Sequence, residues 1–280
     1  MFDHILLALD EPGDPALLLP LLRRIARRNG SRVTVMQSAP FLETIVEMPA
    51  ELSPGSHADD EVSAELFVHA MVAHLRGEGF VADGFTEIGQ SGLILAAAAE
   101  RIDASLIVLA LRHPNWLRSL HRIARVPVLA VPAARRRVSS GVLVAIEDER
   151  SLEAIPYAAA LARAFHGGLI FVASEREGLL VEAREAAVRE AVPTEATLLS
   201  DDLAATLLTL SGALIVLRTA SEELSAQLVQ KSRLPLLLVR RPIALPAQGL
   251  PPQSERLQLP LALWTRRVSP NPIGGFGGEP

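Results

Sequence analysis

Catalysis and metal binding need particular side chains at particular spacings, and the 280-residue chain offers few of them. Its seven histidines are His4, His57, His69, His74, His113, His121 and His166. None stands in an HExxH arrangement or at metal-ligand spacing from a carboxylate, so no metal site is expected. There is no cysteine, which removes disulfides, thiol nucleophiles and thiolate metal centres. No serine occupies a GxSxG elbow, and no Walker loop occurs. Nothing assembles a nucleophile, a base and an oxyanion donor, so the expectation is a protein that is not an enzyme.

Two segments invite a binding role instead. In residues 115–125, Trp116, Leu117, Leu120, Ile123 and Ala124 recur at helical spacing, while Arg118, Arg122 and Arg125 lie mainly on other faces. Arg118 and Arg122 are candidate contacts for an acidic partner, an anion or an anionic lipid. The plainer reading is an amphipathic helix packing its apolar stripe on a sheet. In residues 257–264, Leu257, Leu259, Leu261 and Leu263 alternate with other residues and lead into Trp264. That is strand periodicity, and Pro260 restricts it to an edge. These five residues are candidate contacts for a partner, a second subunit or the chain's own surface.

The elements that would position these groups repeat along the chain. Residues 21–38 and 157–174 both place a helical apolar pattern before a small-residue turn and a β-rich run, 136 positions apart. Residues 104–131 and 212–239 align without a gap at a spacing of 108, each opening near LIVL and closing on VPVL or LPLL. The second copy therefore lacks 28 residues, corresponding to the loop near 41–59 and part of the next helix.

Copy one reads as strands at 5–9, 32–37, 81–88, 106–110 and 127–131, with helices at 14–28, 59–76, 91–101 and 115–125. Copy two repeats the order, with strands at 142–146, 169–173, 194–198, 214–217 and 236–239. Its helices fall at 152–165, 179–191, 201–210 and 221–231. Strands alternating with helices imply right-handed crossovers and mainly parallel sheets. The division is 1–132, a linker at 133–140, a shorter unit at 141–240, and a tail at 241–280. The tail holds eight prolines and a GGFGG cluster, and it reads as extended.

Net charge is −5, from 27 basic and 32 acidic side chains, so no general nucleic-acid footprint is expected. The opening MFDHILLALD lacks a basic segment before its apolar run. It does not read as a signal peptide, no apolar run reaches spanning length, and a cytoplasmic location is expected.

The order of these features resembles the universal stress protein family. The residues that carry it are FDHILLALD, the helix ending in a glycine turn, Gly89 before the third helix, ASLIVLA, and VPVLAVP. The resemblance covers 1–132 and, more faintly, 141–240. It implies two tandem doubly wound, mainly parallel five-stranded α/β sheets, of the adenine nucleotide alpha hydrolase-like kind, followed by an extended tail. It also implies an intramolecular pseudo-dimer joined through the last strands. In nucleotide-binding relatives an acid ending the first strand sits beside the adenosine. Asp10 and Glu147 match that place, as remnants of a nucleotide site. The family's phosphate loop, Gly-x2-Gly-x9-Gly-Ser/Thr after the fourth strand, is missing from both copies. LRHPNWLRSLHRIAR and RTASEELSAQLVQKSR contain no glycine. Without glycine the backbone N–H groups cannot approach a triphosphate closely, so no cofactor, ATP included, is expected. The expected function is a non-enzymatic regulatory or adaptor protein that binds a protein partner or itself. The alternatives are a nucleotide-binding stress protein, or an accessory subunit of a transport or metabolic assembly tethered by its tail.

Overall fold

Runs such as LIVLAL and VLVAI show no polar alternation, so strands built from them must be buried on both faces. In the computed structural model they are. The structure describes residues 1–9, 13–39, 55–88, 91–111, 117, 120, 123–133, 140–174, 177–218 and 222–239. The strands are β1 (His4–Leu9), β2 (Arg32–Ala39), β3 (Ala82–Ile88), β4 (Leu106–Leu111) and β5 (Val128–Pro132). Then come β6 (Val142–Ile146), β7 (Leu169–Ala173), β8 (Thr194–Leu199), β9 (Leu214–Arg218) and β10 (Leu236–Val239). The helices are α1 (Asp14–Asn29), α2 (Gly55–Gly77), α3 (Ser91–Arg101), α4 (Ile155–Phe165), α5 (Glu177–Arg189), α6 (Leu203–Thr209) and α7 (Glu222–Lys231).

The strands form one ten-stranded sheet in the order β3-β2-β1-β4-β5-β10-β9-β6-β7-β8. Within each half every pairing is parallel. The halves meet through β5 and β10, which run antiparallel with Leu237 opposite Leu129. The strand order 3-2-1-4-5 is thus repeated, inverted, as 10-9-6-7-8, and the two five-stranded sheets are continuous.

Helices cover both faces. On one, residues of α1, α2, α4 and α5 pack over Ile5, Leu7, Val144 and Phe171. On the other, α3, α6 and α7 join Leu117, Leu120 and Ala124 over Leu6, Ile107, Leu143 and Ile215. Each apolar cluster draws residues from both halves. Across the seam Arg24 lies over the Phe165 ring at 5.7 Å, and the Phe2 and Tyr157 rings are 6.2 Å apart.

Local chemistry sets the boundaries. Gly30 closes α1 in the left-handed region (φ 64°), and its N–H donates to the Ala26 carbonyl. His166 closes α4 in the same conformation (φ 55°), at the 136-residue spacing. The helix expected over 152–165 is divided. Asp148 caps a 3-10 turn, Glu149–Ala154, through a reciprocal capping box with Ser151, and Pro156 then opens α4. Asp202 accepts from the Ala205 N–H at 2.9 Å and starts α6 later than expected. The deficit in copy two falls between its second and third strands, where α2 has 23 residues and α5 has 13. Long α2 packs hard on the edge of the sheet. A Cβ on Gly84 would come within 2.5 Å of the Val68 side chain. Of the expected stripe at 115–125, Leu117, Leu120 and Ala124 are buried, whereas Ile123 is 38% exposed. It stands on the rim of the stripe and not in it.

A continuous core predicts shared fate. Leu237 is fully buried at the seam, so Leu237→Ala should cost about 2–5 kcal/mol in urea unfolding. The amides of β1 and β6 should lose exchange protection together. Separate transitions would show that the seam does not couple the halves.

Candidate functional site

Doubly wound sheets bind ligands at the carboxyl ends of the strands where the order reverses. This sheet has two such points, between β1 and β4 and between β6 and β9. Because the seam is antiparallel, they open on opposite margins of the sheet.

At the second point the crevice is occupied by the chain itself. Arg218 ends β9 and is only 6% exposed. Its Nη1 donates to the Arg150 carbonyl at 2.5 Å and pairs with the Glu153 carboxylate at 3.1 Å. The side chain thus crosses from the end of β9 to the turn that follows β6. Glu147, immediately after β6, is half-buried, and its backbone N–H donates to Ser151 Oγ at 3.1 Å. Asp148 shares that hydroxyl, accepting from it at 3.2 Å and from the Ser151 N–H at 3.0 Å. The Asp148 carboxylate and the Glu147 backbone therefore build the turn that receives Arg218.

At the first point the equivalent of Arg218 is Ala110, which is small and buried. Asp14, fully buried, stands at the start of α1. Asp10 lies outside the described residues, as do Arg118, Arg122, Leu257, Leu259, Leu261, Leu263 and Trp264. Glu147 is the one expected site residue whose setting is visible. Arg218 and Glu153 were not singled out by sequence reasoning. The signal was a single arginine ending the otherwise apolar strand LIVLR, where copy one has LIVLA.

A second polar group lies at the opposite ends of the first-half strands. His4 Nε2 is 2.7 Å from Thr34 Oγ1, and that hydroxyl donates to Asp83 Oδ1 at 2.5 Å. Since Thr34 gives its only proton to Asp83, neutral His4 donates to it from Nε2. Arg32 also pairs with Asp83. Burial, then the nearby Arg32 charge, hold His4 below its ordinary value of 6.5, against the opposing pull of Asp83, the Ile102 backbone and Asp103. Burial pushes Asp83 up, but the bonds from Thr34 and Arg32 and the Arg32 charge outweigh it and hold Asp83 low. The second half has no such network. By register Gly141, Gly168 and Ile170 replace His4, Arg32 and Thr34, and the Gly168 N–H alone donates to Glu195, at 2.6 Å. Among the described residues no group of three or more His, Asp or Glu is placed to hold a metal ion, and no helix is long and apolar enough to cross a membrane.

Comparison with known proteins places this architecture. Residues 1–132 match the model of the universal stress protein family. No curated protein matches. A universal stress protein from Archaeoglobus fulgidus superposes with a TM-score of 0.68 at 14% identity, over 87% of this chain and 98% of its own. A protein of unknown function from Pseudomonas aeruginosa gives 0.59 at 16% identity, over 86% and 93%. The cytoplasmic domain of a prokaryotic cation chloride cotransporter gives 0.56 at 14% identity, over 85% and 95%. These likenesses describe the fold, and they extend over both halves.

Two predictions follow from the geometry. Arg218→Ala leaves the Arg150 carbonyl and Glu153 without their partner and should cost about 1–3 kcal/mol in urea unfolding. Arg218→Lys should restore only part of that, because an ammonium lacks the guanidinium's spread of donors. A native-like midpoint for Arg218→Ala would show that the crevice is not braced by this side chain. For His4, the folded state binds its proton less readily than the unfolded state. Its contribution is therefore constant above about pH 6.5 and turns destabilising as pH falls from there toward the lower folded value. His4→Gln, which keeps a donor for Thr34, should flatten the fall in urea midpoint between about pH 7 and pH 5. An unchanged slope would exclude His4 as its source.

Proposed function

Because residues 1–132 match the model of the universal stress protein family, we propose that the chain is a non-enzymatic regulatory or adaptor protein that acts by binding a protein partner. One observation carries this reading. The second ligand crevice holds Arg218, ion-paired and buried, where a small molecule would have to enter. To admit a nucleotide there, the protein would have to move the Arg218 side chain off the Arg150 carbonyl and Glu153. The glycine-free sequences after β4 and β9 point the same way, since neither offers a run of accessible N–H groups to phosphates. With that crevice taken by the chain's own side chain, the surfaces are left for binding. Arg118, Arg122 and the 257–264 segment are the contacts the sequence offers.

A second reading has its own support. On the first side Ala110 stands where Arg218 stands on the second, so that position supplies no arginine to span the crevice. A nucleotide would bind there once per chain, beside Asp10.

Calorimetry separates the two. Titration of the full chain with ATP and Mg²⁺ at micromolar concentrations should give no saturable heat. A stoichiometric isotherm of one site per chain, lost in Asp10→Ala and retained in Arg218→Ala, would replace the adaptor reading with nucleotide binding at the first crevice.

A further inference from the structure

Among the described residues the sheet ends in two edge strands, β3 and β8, and the two are finished differently. On β3, Asp83 and Glu87 are ion-paired to Arg32 and Arg101, and the Arg101 guanidinium covers the Phe85 ring at 4.8 Å. Charges on an edge discourage further pairing. On β8, the corresponding face carries Ala196 and Leu198 beside Ile170 of β7, each only half-buried and none charged. The helix that follows β8 has seven residues, against eleven for its counterpart α3 in the first half. The second half therefore leaves apolar sheet half-covered next to an open row of backbone groups.

The chain carries a segment suited to that place. Beyond Val239 lie 41 residues, among them the alternating leucines at 257, 259, 261 and 263. Hydrogen-bond parity decides how they would fit. The Ser200 N–H donates to the Ala173 carbonyl at 2.9 Å. Alternate residues back along β8, Leu198 and Ala196, therefore also turn toward β7, and Thr197 and Leu199 turn their groups outward. In the tail Pro260 has no N–H, so it must face away from β8, and the leucines must face it. In a parallel ladder an inward-bonding residue stands beside a partner residue whose own groups turn away. The leucines would then share a face with Ala196, Leu198 and Ile170. In an antiparallel ladder they would share the face of Glu195, Thr197 and Leu199, where only Leu199 is apolar and an exposed carboxylate stands among them.

We propose that residues 257–263 add to β8 as a parallel eleventh strand within the same chain, laying Leu257, Leu259, Leu261 and Leu263 against Ile170, Ala196 and Leu198. The reach is sufficient. β10 is four strands from β8, and the new strand lies one further, about 24 Å away across the sheet and about 20 Å along it. Residues 240–256 span up to roughly 55 Å when extended. Docking in this way withdraws the leucines from solvent and leaves Trp264, Arg266 and Arg267 just past the new edge, available to an acidic partner.

Residue-resolved hydrogen exchange on the full chain tests this. The outward amides of Thr197 and Leu199 should be protected, and the double variant Leu259→Asp with Leu261→Asp should speed their exchange by about tenfold or more. Leu198, bonded to β7, serves as the internal control for an intact fold and should not change. Equal rates at Thr197 and Leu199 in both proteins would overturn the proposal. So would a change confined to β3. Protection that rises with protein concentration, accompanied by a dimer in sedimentation, would assign the strand to a second copy and refute docking within the chain. Close Hα–Hα contacts between the tail and β8 would refute the parallel direction.

Discussion

The pairing of β5 with β10 is the constraint on which the rest of the structure depends. Those two strands are short, fully buried and wholly aliphatic but for Pro132. Left unpaired, each would be an apolar edge of the kind that aggregates. Joined, they turn two five-stranded sheets into one and give both faces a common core. Because they run antiparallel, the halves are inverted relative to each other. The carboxyl ends of one half's strands lie on the same margin as the amino ends of the other's. The Arg218 crevice and the His4 network therefore belong to one margin of the sheet, although they come from opposite halves of the chain. The same pairing leaves β3 and β8 as the strands at the two ends of the sheet.

Within this shared skeleton the halves have diverged where side chains matter most. Ala110 and Arg218 occupy equivalent ends of the fourth strands. One is a small apolar side chain and the other an arginine anchored to the turn after β6. His4, Arg32 and Thr34 form a polar chain to Asp83 where the second half has two glycines and an isoleucine. Glu100, which pairs with Arg125 at 3.1 Å in the first half, is matched by Leu208 in the second. Each exchange keeps the backbone and alters what the surface above it can bind. A duplicated fold relaxes the demand that both copies do the same work, since the common core no longer depends on either crevice.

Much of the fold is legible in the sequence because its signals are local. Short β-branched aliphatic runs bounded by turn residues read as strands buried on both faces, and the left-handed turn at Gly30 ends α1 by backbone geometry alone. The offsets of 136 and 108 show the duplication and where residues were lost, and the structure puts the loss between the second and third strands of the later half. The absence of glycine after β4 and β9 is equally visible, since it is a property of composition. Helix starts were less legible. Pro156 and Asp202 moved two of them, because capping competes with periodicity within a few residues.

What the tertiary structure alone decided is where polar groups meet. Arg218 reads in the sequence as an arginine that follows a strand. Only the fold brings it to Arg150 and Glu153, more than sixty residues earlier, where the buried arginine meets the Arg150 carbonyl. His4, Thr34 and Asp83 are scattered along the first half and touch because β1, β2 and β3 pair in one register. A shift of a single residue would send the side chains of the slipped strand to the opposite face. Sequence determines which segments must be buried, since that depends on each segment's own composition. It does not determine which charge will face which, since that depends on register and strand order, and these are settled only when the sheet closes.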